Sequence, residues 1–195
     1  MNDTVAAAFF ERLYKAEPDP WNYATSRYEA RKYAATLAAL PRARFRSGFE
    51  PGCSIGVLTR ALARRCDMLL AADVSETALA RARARRDGMR NVRFHRMRIP
   101  CNWPRRTFDL IVLSEVLYYQ SCRDIQATAR KSSRNLRASG VVLLVNWLGA
   151  TGTARTGDQA ARQFIAQSRR RLRVITRRRT QRFRLDVLVV ESRAP

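Results

Sequence analysis

The chain is poor in the residues that build metal sites and disulfide frameworks. Its 195 residues include one histidine, His95, and four cysteines, Cys53, Cys66, Cys101 and Cys122. No CxxC pair occurs, which argues against a structural zinc site and against a disulfide scaffold. No apolar run approaches the ~20 residues of a membrane helix, so no membrane partner is expected. Met1 to Phe10 carries Asp3 and no basic n-region, so no secretory signal is read. These absences point to a reducing cytoplasm. Acid is scarce too: 16 Asp and Glu face 38 Lys and Arg, a formal net charge of +22. Lysine is scarcer still. Only Lys15, Lys32 and Lys131 are lysine, which leaves 35 arginines. Such a balance suggests nucleic acid or an anionic surface as partner. The arginines, however, are scattered through Arg81 to Arg98 and Arg162 to Arg184. Their excess over lysine looks like codon bias in a GC-rich genome, and solvated faces are the preferred reading.

What remains is enough for a packed core, since 46% of the residues are hydrophobic. The length suits one domain of roughly 100–200 residues, and no repeat or low-complexity linker appears. Val5 to Tyr14 predicts a helix with Phe9, Phe10 and Leu13 on one side, stopped by Glu17-Pro18-Asp19-Pro20. A second helix is predicted from Tyr28 to Leu40, capped by Ser26, with Tyr33, Leu37 and Leu40 on one face. Phe45 to Glu50 reads as a strand weakened by Gly48. A glycine-bearing turn and a helix from Val57 to Arg65 follow. Met68 to Asp73 is apolar and ends in an acid, and Ser75 caps the next helix with Glu76 in its first turn. Asn91 to Met97 and Phe108 to Ser114 read as strands, the latter buried on both faces. Tyr118 and Tyr119 are expected to open a helix. Ile125 to Leu136 is predicted helical and closes at Ser139-Gly140. Val141 to Trp147 reads as a strand, Thr156 to Arg171 as a helix, and Arg173 to Arg182 with Leu185 to Glu191 as an antiparallel hairpin. Strands alternating with helices predict an α/β, doubly wound, mostly parallel sheet. Ligands of such sheets sit at the carboxyl ends of the strands, so the residues just after each strand are the candidates.

The first strand runs into Glu50-Pro51-Gly52-Cys53-Ser54-Ile55-Gly56. Small residues at Gly52, Ser54 and Gly56 let the backbone approach a ligand closely. Asp73 ends the second strand 17 positions after Gly56, close to the ~20-residue offset at which an acid reaches a ribose diol. An acid at the start of the turn would repel a pyrophosphate. Glu50 instead suits a ligand with an amino group and a positive centre, and a sulfonium amino acid joined to adenosine fits both ends. His95, within a strand, reads as structural. Cys53 has no histidine partner in sequence view, which argues against a cysteine nucleophile.

Glu50-x-Gly52-x-Ser54-x-Gly56, Asp73 and Phe108-Asp109-Leu110-Ile111-Val112 resemble the motifs of class I S-adenosylmethionine-dependent methyltransferases. The likeness runs down to the final hairpin. A narrower set is similar to nodulation protein S and its relatives, N-methyltransferases of de-N-acetylated chitooligosaccharides. It comprises Asp19-Pro20-Trp21, Tyr28-Glu29, Thr36-Leu37-Ala38-Ala39-Leu40-Pro41, Glu50-Pro51-Gly52-Cys53 and Ser114-Glu115-Val116-Leu117-Tyr118-Tyr119. The resemblance implies a Rossmann-like seven-stranded sheet with N-terminal helices and a C-terminal antiparallel hairpin. It implies one methyltransferase domain over 1–195, with a helical cap at 1–41 and a cofactor-binding core at 42–195. The implied cofactor is S-adenosyl-L-methionine. Glu50 would approach its methionine part, lined by Gly52, Cys53, Ser54 and Gly56. Asp73 would hold the ribose hydroxyls, and Val74 and Met97 would flank the adenine. The family usually follows that last position with an acid, and this chain has Arg98. Lys32, or else Arg31, would bind the cofactor carboxylate, and Trp21 is placed among the cofactor-binding residues. Ser114 and Glu115 would lie beside the methyl group.

Methyl transfer is an in-line displacement in which alignment alone can remove roughly 7–11 kcal/mol of barrier. A neutral amine must attack, and Glu115 is the candidate to take or direct its proton. Tyr118, Tyr119, Trp21 and Tyr23 are candidates to hold a sugar face or a developing ammonium. The expected substrate is therefore an amino sugar or oligosaccharide. Two other readings stand beside it. The charge motivates an RNA methyltransferase, against which the Ser114-Glu115-Val116-Leu117 turn and the absence of an RNA-binding module count. Arg98 and Gly48 motivate a non-catalytic cofactor-binding protein.

Overall fold

Seven strands of five to twelve residues and six α-helices make up the fold in a computed structural model that describes residues 3–85 and 87–191. Helices α1 (Ala7–Ala16) and α2 (Arg27–Ala38) come first. Then follow β1 (Phe45–Pro51), α3 (Val57–Ala63), β2 (Cys66–Asp73), α4 (Glu76–Ala84) and β3 (Val92–Arg96). The remainder is β4 (Phe108–Ser114), a 3-10 turn at Leu117–Tyr119, α5 (Cys122–Arg134), β5 (Leu136–Trp147), α6 (Gly157–Ser168), β6 (Leu172–Arg179) and β7 (Phe183–Val190). The seven-stranded sheet has the order β3-β2-β1-β4-β5-β7-β6. The α/β, mostly parallel architecture with an antiparallel C-terminal hairpin is as the sequence predicts. No helix among the described residues is long and apolar enough to cross a membrane.

The described residues group into two compact units: Ala6–Arg98, and Ile99 onward together with residues 3–5. In the first, β1, β2 and β3 are parallel neighbours, with Glu50 opposite Ala71 and Asp73 opposite Arg96. Its core contains Phe45, Phe49, Leu62, Leu69 and Leu79, all essentially buried. Gly48 does not weaken β1. A Cβ there would lie 2.7 Å from Cys66 Sγ and 2.9 Å from Leu69 Cδ1, so only glycine lets β1 pack at this point. Ser26 and Ser75 cap α2 and α4 by accepting from the Glu29 and Ala78 amides, as expected.

In the second unit β4 and β5 are parallel, and β7 pairs antiparallel with both β5 and β6. Two expectations are corrected here. Leu136–Gly140 belongs to β5 and not to a helix end and turn. Arg137, Ala138 and Ser139 are exposed, which gives the stretch a loop's composition, and the β4–β5 register shifts beside it. Tyr118 and Tyr119 do not open α5 either. They lie in the 3-10 turn, and α5 starts at Cys122, where the Ser121 hydroxyl accepts from the Asp124 amide. The arginine-rich C-terminal stretch is partly neutralised within the fold. Buried Arg184 donates to Asp158 at 2.9 Å and, through Nε, to fully buried Asp186 at 2.6 Å. Arg177 donates to Asp186 from the other side at 2.6 Å.

Candidate functional site

Strand β1 delivers Glu50 at its carboxyl end, where the residue is 2% exposed and its Oε2 has no hydrogen-bond partner among the described residues. Burial pushes this carboxyl up to about 8; the Thr59 hydroxyl opposes the rise and the Asp73 charge adds to it. An unpartnered buried acid oxygen is costly unless something else satisfies it. The sign of its effect on folding can be worked out. An unfolded glutamate titrates near 4.5, so from there to about 8 the folded chain retains a proton that the unfolded chain has released. Stability therefore falls as pH rises through that window. Glu50→Gln should melt higher than the parent at the alkaline end and show a flatter dependence of Tm on pH. Parallel Tm curves for the two proteins would show that Glu50 keeps its ordinary titration.

The backbone then turns sharply. Gly52, Ser54 and Gly56 have φ of 80°, 52° and 81°. The Gly52 and Cys53 amides both donate to the Ala72 carbonyl, at 2.6 and 2.9 Å, which folds the turn back over the end of β2. Gly56 is the N-cap of α3, and a Cβ there would stand 3.1 Å from Ala82 Cβ. Left-handed backbone costs an L side chain roughly 1–2 kcal/mol, so Gly56→Ala should lower unfolding free energy by at least about that amount in a urea titration. An unchanged midpoint would mean that the turn adapts without cost. Cys53 is buried, and its thiol is pushed well up by burial, with Asp73 and Glu50 adding to the rise. It is no nucleophile.

Asp73 closes β2, 7% exposed. Its Oδ2 accepts from the Ser54 amide at 2.9 Å and its Oδ1 from the Ser75 amide at 3.0 Å. Burial raises its carboxyl above 3.8, while the amides of Ser75, Ser54 and Val74 pull it back. Each oxygen still has lone-pair capacity for a ligand hydroxyl. Val74 and Met97 are half-buried, and the Met97 amide donates to the Asp73 carbonyl at 2.9 Å, which places both beside the acid. Arg98 and His95 are exposed. Together, Glu50, the turn 52–56, Asp73, Val74 and Met97 form one constellation at the carboxyl ends of β1, β2 and β3.

Helix α1 is pinned to this constellation by a residue with no local sequence signal. Glu11 accepts from the Ser75 and Thr77 hydroxyls, each at 2.7 Å, and its carboxyl falls to about 2, chiefly through the Thr77 and then the Ser75 hydrogen bond. The Tyr14 hydroxyl donates to Ser54 Oγ, and Tyr14 packs with Ile55, Ala78 and Trp21. Trp21 in turn stacks on Tyr23 at 5.6 Å. Lys32 is buried at 2% exposure and paired with Glu29 at 2.8 Å, with its ammonium 5.6 Å from the Tyr28 ring centre. Arg31 is exposed.

A second constellation lies wholly in the other unit. Ser114 ends β4, and Glu115 follows in left-handed backbone with φ of 58°. A non-glycine residue held there stores strain, as functional sites often do. The Glu115 amide still donates to the Val145 carbonyl at 2.9 Å. Its carboxylate Oε2 then accepts from the Trp147 amide at 2.8 Å, so a side chain extends the β4–β5 ladder after the backbone has turned away. The Tyr118 hydroxyl donates to the same oxygen at 2.8 Å. Tyr118 is buried, and its ring lies 4.6 Å from that of Tyr119. Burial pushes the Tyr119 hydroxyl up to about 12; the side-chain contact with Tyr118 opposes this and the Glu115 charge adds to it. Glu115 is thus an oriented acid, fixed by two donors. Among the described residues no group of His, Cys, Asp and Glu is arranged to hold a metal ion.

Comparison with known proteins follows the same lines. A solved structure of a Pseudomonas syringae protein assigned as a methyltransferase is 38% identical, with a TM-score of 0.71, covering 83% of this chain and 98% of that one. The fold of the N-methyltransferase NodS from Bradyrhizobium japonicum WM9, solved with S-adenosyl-L-homocysteine, superposes with a TM-score of 0.82 at 22% identity. That match covers 95% of this chain and 98% of the other. Nodulation protein S of Bradyrhizobium diazoefficiens is 36% identical over 109 residues, 53% of this chain and 50% of the relative. The chain thus spans about half the length of the curated relatives it matches. The model of the nodulation protein S family matches residues 6–189, nearly the whole sequence, and the chain belongs to that family.

Proposed function

We propose that the chain is an S-adenosylmethionine-dependent N-methyltransferase that acts on the free amine of a de-N-acetylated amino sugar or chitooligosaccharide. The reading takes 1–195 as one methyltransferase domain working in the cytoplasm. The acid pair Glu50 and Asp73, on either side of the glycine turn, carries it. The pair fits the cofactor on two counts. Glu50 presents a buried oxygen with no partner among the described residues, which suits a ligand with a positive centre. Asp73 gives one amide to each of its oxygens and keeps lone-pair capacity for ribose hydroxyls. Family membership and the cofactor product held by the Bradyrhizobium japonicum neighbour support the same reading.

S-adenosylmethionine, when bound, supplies a methyl group on a positively charged sulfur. The chain's own residues do the rest. Asp73 accepts the ribose hydroxyls with the lone pairs that the Ser54 and Ser75 amides leave over. Val74 and Met97 would flank the adenine. Lys32 is paired with Glu29 and would meet a cofactor carboxylate with its remaining donors, and Trp21 packs on Tyr14 above the turn. Glu115, held by Tyr118 and by the Trp147 amide, directs the acceptor amine and takes its proton during turnover. The ring face of Tyr119 suits a sugar or the developing ammonium.

A labelled-methyl assay tests the acceptor. A chitooligosaccharide with one free terminal amine should be methylated, and its fully N-acetylated counterpart should not. Equal labelling of the two would remove the amine assignment. Methyl incorporation into RNA, with the steep salt dependence that phosphate contacts impose, would replace it with the nucleic-acid reading.

A further inference from the structure

We propose that the side-chain amide of Asn146 recognises a hydroxyl group of the methyl acceptor. The inference rests on the amino-sugar reading above and extends it to a residue outside the cofactor motifs. Asn146 sits near the carboxyl end of β5, between Val145, whose carbonyl takes the Glu115 amide, and Trp147, whose amide is held by the Glu115 carboxylate. The residue immediately follows the Glu115 ladder contact. It is fully buried. Neither Oδ1 nor Nδ2 has a hydrogen-bond partner among the described residues.

That combination is costly. A buried primary amide carries two donors and an acceptor, and leaving them unmade forfeits hydrogen bonds that water would supply to the unfolded chain. Leucine or valine would fill a β5 core position without that penalty, as Leu143, Leu144 and Val145 do beside it. A polar group kept where it destabilises the fold is the pattern expected of a ligand contact. Its chemistry narrows the ligand. A neutral amide that both donates and accepts complements a hydroxyl, which does the same, whereas a phosphate offers only acceptors and an ammonium only donors. An amino sugar carries hydroxyls next to its amine.

The cover over Asn146 is compatible with access. Gly157, the first residue of α6, is packed on it: a Cβ at 157 would come 2.9 Å from Asn146 Cβ and 2.0 Å from the Trp147 carbonyl. Only glycine fits, so the first turn of α6 lies directly on the amide. Loop 148–156 leads into that turn, braced from within by Thr151 and Thr153 hydroxyls donating to the Arg155 carbonyl at 3.1 and 2.8 Å, and tied outward by Arg155 donating to the Gln120 carbonyl at 3.3 Å and to Cys122 Sγ at 2.7 Å. Uncovering Asn146 by moving this loop and the start of α6 would spare the β5 ladder but would have to open the Arg184–Asp158 pair and the bond from the Leu148 amide to the Arg182 carbonyl.

The test uses Asn146→Leu, and Asn146→Val as a smaller apolar replacement that avoids overpacking. Melting, S-adenosylhomocysteine affinity and the KM for a chitooligosaccharide with a free terminal amine are measured on the full chain. Asn146→Leu should raise Tm by about 2–4 °C, the shift expected when an unpaired buried polar group is replaced by an apolar one. Product affinity should stay within about twofold, and acceptor KM should rise about tenfold in both variants, the loss expected for hydrogen bonds to one hydroxyl. An unchanged KM overturns the assignment whatever the Tm. If the parent protein methylates no amino sugar, the acceptor reading itself fails. The melting curves then decide for Asn146 alone: a lower Tm in Asn146→Leu shows that the amide is satisfied within the protein and overturns the proposal.

Discussion

Replacing Glu115 by glutamine should leave S-adenosylhomocysteine affinity unchanged and slow turnover on an amine acceptor by about 10²–10⁴-fold, the usual worth of general acid–base help. The substitution is a clean one in this fold. A glutamine carbonyl oxygen can still accept from the Tyr118 hydroxyl and the Trp147 amide, so the left-handed turn after β4 keeps its support. Only the charge is lost. A carboxylate beside the acceptor also stabilises the protonated amine, which cannot attack. Its benefit must then come from directing the amine and taking its proton during turnover. This gives the variant a distinctive pH profile. In Glu115→Gln the activity should climb with pH more steeply than in the parent, because more of the amine must reach its neutral form unaided. Tyr118→Phe removes one of the two donors that orient the carboxylate and should cost less, roughly tenfold. A fully active Glu115→Gln would reduce Glu115 to a structural residue that completes the β4–β5 ladder.

Asp73→Ala should weaken cofactor binding by roughly 10- to 100-fold, the loss expected when a charged hydrogen-bond acceptor is removed. It should also destabilise the fold. The Ser54 and Ser75 amides, both buried with Asp73, would lose their acceptor, at about 1–3 kcal/mol for each unsatisfied donor. Asp73→Asn separates the two effects. Its amide oxygen can serve one of the two amides, so its Tm should lie between those of the parent and the alanine variant, while its cofactor affinity falls nearly as far as in alanine. Equal cofactor affinity in parent and Asp73→Ala proteins would remove the residue from the site.

Much of this arrangement was legible in the sequence because it depends on local pattern. The switch between apolar runs and capped helices marked the strands, and Ser26 and Ser75 announced their helices. Glycines at 52 and 56, with acids before and after, marked the turn. Where reading failed, the decisive contact was distant or its composition misleading. Gly48 looked like a weak point, yet it is required by Cys66 and Leu69 on the neighbouring strand. Leu136–Gly140 had the composition of a loop and is the start of β5, exposed at 137–139. Glu11 acts on Ser75 and Thr77 more than sixty positions away. The arginines read as solvated faces include Arg184, which is buried between Asp158 and Asp186. Asn146 was hidden in the most apolar strand of the chain, where burial without a partner among the described residues distinguishes it.

Calorimetric titration with S-adenosylmethionine tests the central claim most directly. Glu50, carried to about 8 by burial, should ionise when a positive ligand settles beside it. Binding should therefore be saturable, one to one, and accompanied by proton release below that pH, with apparent affinity rising as pH climbs toward 8. In Glu50→Gln the proton release should vanish. Absence of saturable heat with either the cofactor or its demethylated product would contradict the account, as would binding whose proton balance is the same in parent and Glu50→Gln proteins.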